Sequence, residues 1–341
     1  MPTPTPSGPP PVPAPSGRPA ERPSGPARVL GIGDNVVDRY PDLGLMFPGG
    51  NAVNVAVHAR RAGADAAYWG VTGDDTAGAV VRRALAAEGV DTGRVRTEGG
   101  PNAWAEIGLV GGDRVFKGSD DGVSVFALDE EELDALAGWD VVHTAYSGSL
   151  AGQVPDMAAR TRVSFDFSHH WNQPWAAPLY PHLHLAAFSA SQLGTDEVAG
   201  LLRQAVRQGV RWALATRGGD GAVLTDGDSW WRQPPVATPA VDTLGAGDAF
   251  IGTLLAALAA GGDPRQGLAR AAEAAARTCT AHGAFGHPAP LPAPGPEEPA
   301  PALGEDDPRG GPDTRVEPSR AAAGEKGRTP SGRTARTGRN A

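Results

Sequence analysis

The stretch Val241 to Phe250 reads V-D-T-L-G-A-G-D-A-F and runs into an apolar, alanine-rich segment reaching Ala260. Gly245, Ala246 and Gly247 are small enough for backbone N–H groups to close on an anion. The segment that follows has helical periodicity, so unpaired amides and the helix dipole favour phosphate there. A carboxylate in the same turn repels phosphate, which gives Asp248 a different task. Two readings are open: a helix cap, or a general base that takes the proton of an attacking hydroxyl. In phosphoryl transfer the protein chiefly positions the reactants and spreads charge, while one carboxylate accepts that proton.

Three further stretches could face a ligand. Arg28 to Ile32 is a short apolar run that opens into G-I-G-D-N-V-V-D, Gly31 to Asp38. It is not a dinucleotide fingerprint, because Val36 stands where the third glycine belongs and Asp34 would face the pyrophosphate. Asp34 and Asp38 either offer carboxylates to sugar hydroxyls at the end of a strand or are solvated turn acids. Phe47 to Gly63 begins F-P-G-G-N-A-V-N, in which Gly49 and Gly50 let a ligand approach the backbone. Asn51 and Asn54 sit three apart at a helix start, with capping expected of Asn51. Thr216 to Gly221, T-R-G-G-D-G, follows an apolar strand and suits close approach of a nucleotide phosphate. His169, His170, His182 and His184 lack any recognised ligand spacing. Trp171 and Trp175 either wall a site or pack beneath a loop.

The elements that must position these residues alternate. A strand at 66–71, the turn T-G-D-D and a helix at 76–88 closed by Gly89 give a βαβ rhythm. Two strand-like runs, Ala103 to Val110 and Arg114 to Gly118, joined by G-G-D, interrupt it as a hairpin suited to a lid. Alternation then resumes: helix 129–138, strand 140–145, helix 152–160, strands 162–167 and 184–189, helix 195–208 and strand 211–216. A hairpin at 222–225 and 230–233 follows, and Arg265 to His282 reads as a last helix. The pattern predicts an α/β fold with a doubly wound, mainly parallel central sheet, flanking helices and a small β-sheet lid at about 36–48 and 102–118.

Composition bounds the rest. Of 341 residues, 1–26 are dominated by Pro, Ser, Gly and Ala, and 288–341 by Pro, Gly and Arg. Both are expected to be disordered tails, because they hold too little apolar surface to offset ordering entropy. Residues 27–287, roughly 260, are enough for one large α/β unit. Neither an apolar leader nor a membrane-length run is present, so a soluble, cytoplasmic protein is expected. Cys279 is the only cysteine, which excludes an internal disulfide and cysteine-based metal sites. Thirty basic against 39 acidic residues give a net charge of −9 and no general pull toward nucleic acid. Lys117 and Lys326 are the only lysines and neither lies in a glycine-rich loop, which excludes a P-loop NTPase and the protein-kinase lysine set.

With these pieces in order, the chain from about Val29 to Gly286 resembles the ribokinase-like, or PfkB, sugar kinases. The motifs that carry the resemblance are D-T-L-G-A-G-D-A-F, F-P-G-G-N-A-V-N-V-A and T-R-G-G-D-G. Together with G-D-N-V-V-D-R-Y-P, D-R-V-F and F-D-F-S they are similar to one branch, the fructoselysine 6-kinases. The resemblance implies ATP with Mg2+, a small sugar or fructosamine acceptor, no nucleic acid or membrane partner, and a monomer or a homodimer formed through the lid. It implies Asp248 as base, with Gly245, Ala246 and Gly247 as anion hole. Thr216, Gly218 and Gly221 fall at nucleotide positions, and Asp38, Gly49, Gly50 and Asn54 at sugar positions, with Asp34 and Asn35 beside them. Asp242 begins a loop that in several members helps hold a monovalent cation such as K+. The family's Asn-x-x-Glu is absent where S-A-S-Q-L-G-T-D-E occurs, leaving Ser189, Ser191 or Glu197 as replacements and the metal ligands unassigned. Arg114, on the hairpin, is a candidate for meeting an acceptor carboxylate or is a solvated strand residue. Fructokinase, ribokinase, nucleoside kinase and a non-catalytic binder on the same fold are the alternatives.

Overall fold

The computed structural model describes residues 25–110 and 113–292; for 109, 110 and 113–115 only the backbone is described. In chain order the strands and helices are β1 (Arg28–Ile32), β2 (Val36–Tyr40), β3 (Leu45–Gly49), α1 (Asn51–Arg61), β4 (Asp65–Trp69), β5 (Val71–Gly73), α2 (Thr76–Ala87), β6 (Arg96–Glu98), β7 (Trp104–Val110) and β8 (Asp113–Asp120). There follow α3 (Glu130–Ala135), β9 (Val141–Ala145), α4 (Val154–Ala158), β10 (Val163–Asp166), β11 (Leu185–Ser189), α5 (Thr195–Arg207) and β12 (Trp212–Thr216). The chain ends with β13 (Ala222–Thr225), β14 (Trp230–Gln233), α6 (Ala246–Ala259), α7 (Pro264–Thr278) and β15 (Ala289–Pro290).

Eight strands form the central sheet in the order β14-β13-β12-β11-β10-β9-β1-β4. The pairings from β12 to β4 are parallel, while β13 and β14 close one edge as an antiparallel hairpin. The parallel strands are buried on both faces, as crossover helices require. One face packs Leu30, Val142, Phe165 and Ala186 with Leu133, Met157 and Leu202 from α3, α4 and α5. The other packs Val29, Val141, Leu185 and Leu214 with Val55, Leu254 and Leu268 from α1, α6 and α7. The sheet is therefore doubly wound, as the alternation predicts.

A second sheet of five strands, β15-β3-β2-β7-β8, holds the predicted hairpin. Its inner cluster of Tyr40, Phe47 and Ile107 receives Leu244 from the turn before α6, so the small sheet is packed onto the glycine turn. β15 pairs antiparallel with β3, and Leu291 N–H donates to Gly44 C=O at 3.0 Å. The folded unit thus runs past the expected boundary at 287: the expected disorder of 288–341 does not hold for 288–292, whose backbone adds an edge strand. Residues 1–24 and 293–341, the rest of the expected tails, lie outside the described residues.

Two helix boundaries also differ from expectation. The helix expected over 129–138 is α-helical only to Ala135 and tightens into a 3₁₀ turn at Leu136–Gly138. The helix expected to reach His282 stops at Thr278, because Val241 and Asp242 donate to the Cys279 carbonyl and pull the chain into the loop that flanks the glycine turn.

The site depends on how closely α1 and α6 approach. Gly252 makes that possible, since a Cβ there would lie 2.6 Å from the Val55 carbonyl oxygen and 3.1 Å from Ala59 N. Gly252→Val should lower Tm by roughly 5 °C through overpacking. Gly200→Ala, at an exposed position of α5 where a Cβ meets nothing within 4 Å, should raise it by roughly 2 °C. Thermal melts of both variants check the pair, and a harmless Gly252→Val would show that α1 and α6 are not in forced contact.

Candidate active site

The site gathers where β1, β9 and β10 end and where α1 and α6 begin. Helix α1 lacks a side-chain cap of its own, because Gly50, with φ of 102°, precedes it. Asp34, arriving from the turn after β1, supplies one: its carboxylate accepts from Asn51 N–H at 2.9 Å and Ala52 N–H at 3.2 Å, and from the Ser147 hydroxyl at 3.0 Å. A negative group at a helix N-terminus is favoured by the dipole. Asn51, expected to cap, is released from that task.

The Asn51 side chain instead joins two acids. Its Nδ2 donates to Asp166 Oδ2 at 2.9 Å and to Asp248 Oδ1 at 2.8 Å. Asn54, one helical turn along, donates from Nδ2 to Asp248 Oδ2 at 2.7 Å. Both oxygens of Asp248 are thereby aimed by amides of α1. Asp248 makes no cap on α6, which removes the capping alternative for its side chain. On its far side Asn51 Oδ1 accepts from His143 Nε2 at 2.7 Å, and His143 Nδ1 accepts from the Ser164 hydroxyl at 2.9 Å. Burial pushes His143 down to about 3, so it is a neutral imidazole of fixed tautomer that holds the Asn51 amide in one orientation.

Electrostatics follow from this crowding. Asp248 is pushed up to about 8, first by burial, then by the charge of Asp166 and more weakly by Asp34 and Asp38, against the hydrogen bond from Asn54. Burial raises Asp166 to about 6 and also raises Asp34. Among the described residues no arginine or lysine forms an ion pair with Asp34, Asp166 or Asp248. Asp38, on β2, is buried against Gly49, where a Cβ would sit 2.2 Å from its Oδ2. Asn54 Oδ1 is buried without a hydrogen-bond partner, an acceptor beside Asp248.

The glycine turn completes the cleft. Gly245 takes φ of 74° and a Cβ there would strike Ala284, so a side chain is excluded twice over. The first-turn amides of α6 have no carbonyl partner inside the helix, although Ala246 N–H is drawn back to Thr243 C=O at 3.3 Å. A Cβ on Gly247 would meet nothing within 4 Å, so the space over the turn is open. The same openness lies over Gly218 and Gly219 beyond β12, while Gly221, at φ of 81°, turns the chain back against Gln233. These open backbone faces fit a polyphosphate. Thr216 Oγ1 makes one long contact, 3.5 Å, to the Phe188 carbonyl.

Several expected residues also have structural partners. Asn35 is fully buried and donates to Tyr68 and to the Val71 carbonyl, so it shapes the wall behind the cleft. The Asp242 carboxylate accepts from the Tyr40 hydroxyl at 2.5 Å, from Leu244 N–H and from Gly283 N–H. It ties the small sheet to the glycine turn. Glu197 bonds the Gly194 amide at the start of α5, and Ser191 bonds Gln192. Trp175 stacks on Phe167 with centroids 5.9 Å apart, which is the packing alternative for that ring. The Arg114 side chain lies outside the described residues. Among the described residues no three His, Cys, Asp or Glu side chains form a metal cluster. Magnesium held through phosphate oxygens and waters does not require one. No helix among the described residues is long and apolar enough to cross a membrane.

Asp166, His143, Ser147 and Tyr146 join the site without having been singled out from the sequence. The available signals were polar residues inside or just after apolar strands: V-V-H-T-A and V-S-F-D.

A doubly wound sheet with an open glycine turn at a helix start, a carboxylate aimed over it and a small sheet packed alongside defines a phosphotransferase acting on a small hydroxyl acceptor. The chain matches the pfkB family carbohydrate kinases over residues 35–161 and 173–290, and it belongs to that family. It is 38% identical over 265 residues to the fructosamine kinase FrlD of Bacillus subtilis, covering 76% of this chain and 93% of that protein. To the fructoselysine 6-kinase of Escherichia coli it is 40% identical over 257 residues, covering 74% and 98%. Among solved structures, Thermotoga maritima ribokinase agrees in fold with a TM-score of 0.65 at 19% identity, over 78% of this chain and 97% of that one. Arabidopsis thaliana ribokinase complexed with ribose and ATP gives 0.67 at 18%, over 77% and 95%.

The raised Asp248 has a thermodynamic signature. Between the ordinary carboxylate value of 3.8 and about 8, the folded chain keeps a proton that the unfolded chain releases, so this group's contribution to stability falls as pH rises through that window. Asp248→Asn removes the titration. Its Tm relative to the parent should therefore rise steadily from pH 5 to pH 8, whatever the offset from altered hydrogen bonds. A difference that stays flat with pH would mean that Asp248 titrates normally.

Proposed function

We propose that this chain transfers the γ-phosphoryl group of ATP to the 6-hydroxyl of a fructosamine, a fructose joined to an amino acid through a secondary amine, such as fructoselysine. The observation that carries the acceptor is the identity of 38–40% over nearly the whole length of a fructosamine kinase and a fructoselysine 6-kinase. Asp166 and Asp248, which no arginine or lysine among the described residues pairs with, support it, since an ammonium on the acceptor supplies a charge-assisted partner.

In this reading Asp248 takes the proton of the 6-hydroxyl. A base is most effective with its pKa near the working pH, and Asp248, raised by burial and by Asp166, is a stronger base than an ordinary carboxylate. A cationic acceptor in the same field favours its ionised form, so the acceptor helps to prepare its own base. Asn51 and Asn54 hold both carboxylate oxygens, so the proton is taken along one direction. Asp38, Gly49, Gly50 and the free Oδ1 of Asn54 receive sugar hydroxyls, and Asp34 keeps α1 in place beneath them. The amides at Gly245, Ala246 and Gly247 face the charge that builds on the transferred group. Thr216, Gly218 and Gly221 flank the nucleotide phosphates. Mg2+ bound with ATP neutralises phosphate charge, and the loop begun by Asp242 offers carbonyls to a monovalent cation such as K+. We place the reaction in the cytoplasm, where ATP is supplied, in a monomer or in a homodimer joined through the small sheet.

Asp248→Asn should lower kcat by roughly 10²-fold or more with little change in sugar affinity, and retained turnover would remove the base assignment. For the acceptor, ADP release is measured with ATP, magnesium and each of fructoselysine, fructose, ribose and adenosine. The expected order puts fructoselysine first in kcat/KM, and a free sugar or nucleoside ahead of it would move the chain to another branch of the family.

A further inference from the structure

One aromatic group beside the cleft has no part in the chemistry above. Tyr146 follows the last residue of β9, and its backbone N–H donates to the Asp166 carbonyl at 3.0 Å. Its ring stacks on His170 with centroids 4.4 Å apart and planes 28° apart, and His169 lies 4.1 Å from His170 and 6.3 Å from the Tyr146 ring itself. Tyr146 keeps 38% of its surface exposed. The three rings are fixed rather than loose. Ser168, held at φ of 48°, donates its N–H to Asp166 Oδ1 at 2.8 Å, and its carbonyl accepts from Ser189 N–H at 2.8 Å. The chain between Asp166 and the histidines is thereby pinned to the ends of two strands.

The three rings form a cluster beside the acids. The backbone bond to Asp166 sets Tyr146 beside the acids, and burial, then the charges of Asp166, Asp34 and Asp248, push its hydroxyl up against a hydrogen bond with Ser168. His170 is lowered by burial and by its neighbour His169, so two charged imidazoles are disfavoured there. Tyr146 and His169 are both exposed, and His170 lies partly buried between them. Beside the cleft the surface therefore offers carboxylates, a partly exposed tyrosine ring and an exposed imidazole. An organic ammonium is attracted to a ring face near negative charge. Methylene groups lie favourably over aromatic rings, and a carboxylate favours a protonated imidazole. An amino acid joined through its nitrogen to a sugar in the cleft carries a partner for each: an ammonium, methylenes and a carboxylate.

Resting on the fructosamine reading, we propose that Tyr146, His170 and His169 form the subsite for the amino-acid part of the acceptor. The Tyr146 ring receives the secondary ammonium and adjoining methylenes, and His169 receives the carboxylate. The residues determine specificity and take no part in phosphoryl transfer.

The experiment compares kcat/KM for fructoselysine, for a fructosyl alkylamine lacking a carboxylate, and for fructose, in the full chain and in Tyr146→Leu, Tyr146→Phe and His169→Gln. Tyr146→Leu should lower the fructoselysine-to-fructose ratio about tenfold, mostly through KM, and Tyr146→Phe should retain it. His169→Gln should lower fructoselysine relative to the alkylamine, and it is the second test if the leucine variant does not fold. A full chain that prefers fructose ends the fructosamine reading and the subsite with it. A full chain that prefers fructoselysine, with ratios unmoved in Tyr146→Leu and His169→Gln, overturns the subsite alone.

Discussion

The site depends on one amide. Asn51 Nδ2 lies within 2.9 Å of both Asp166 and Asp248, so two carboxylates that repel one another are held against a single donor group. An amide that could flip would present its oxygen to those acids and break the arrangement. Neutral His143, locked by Ser164, prevents the flip by donating to the amide oxygen. The consequence reaches well beyond the four residues. Asn51 can serve this way only because Asp34 has taken over the cap of α1, and Asp248 can be reached only because Gly252 lets α6 lie against α1. Three distant stretches of sequence thus answer to one hydrogen-bond requirement.

A second tie links the small sheet to the glycine turn. Asp242 receives a hydroxyl from β2 and amides from both Leu244 and Gly283, while Leu244 packs among Tyr40, Phe47 and Ile107. A buried carboxylate with this many donors is well compensated. The turn that faces phosphate and the sheet that borders the sugar are therefore anchored at the same residue. β15 adds to that anchor from the far end of the chain, bringing residues beyond Gly286 onto β3.

Much of the fold was legible because hydrophobic period and glycine punctuation are local signals. The strands at 211–216, 222–225 and 230–233 and the helix from Thr195 fall within a residue or so of expectation. The glycine turn was legible for the same reason, since V-D-T-L-G-A-G-D compresses donors and carboxylate into one turn. What escaped were roles fixed by partners far apart in sequence. Asn51 looks like a cap until Asp34, 17 residues earlier, is seen to occupy the cap. His143 and Asp166, 92 and 115 residues from Asn51, read as isolated polar residues on apolar strands. Asp242, 202 residues from Tyr40, reads as the start of a cation-binding loop, and nothing local in the sequence shows its tie to the small sheet. The short strand β15 escaped for a different reason: A-P inside a proline-rich run has no strand period, and only pairing with β3 makes it one.

The excess of negative charge has a chemical logic. Burial raises Asp34, Asp166 and Asp248 together, so their full ionisation at neutral pH is opposed, and the least favoured charge falls on Asp248. A proton is one way to relieve that charge, but it silences the base. An ammonium on the acceptor is another, and it relieves the same charge while leaving Asp248 free to accept a proton. A neutral sugar offers hydroxyls and no such relief. Discrimination between the two acceptors can then arise in the ionisation of the base itself, and the walls of the cleft need only place the ammonium close enough for its field to be felt.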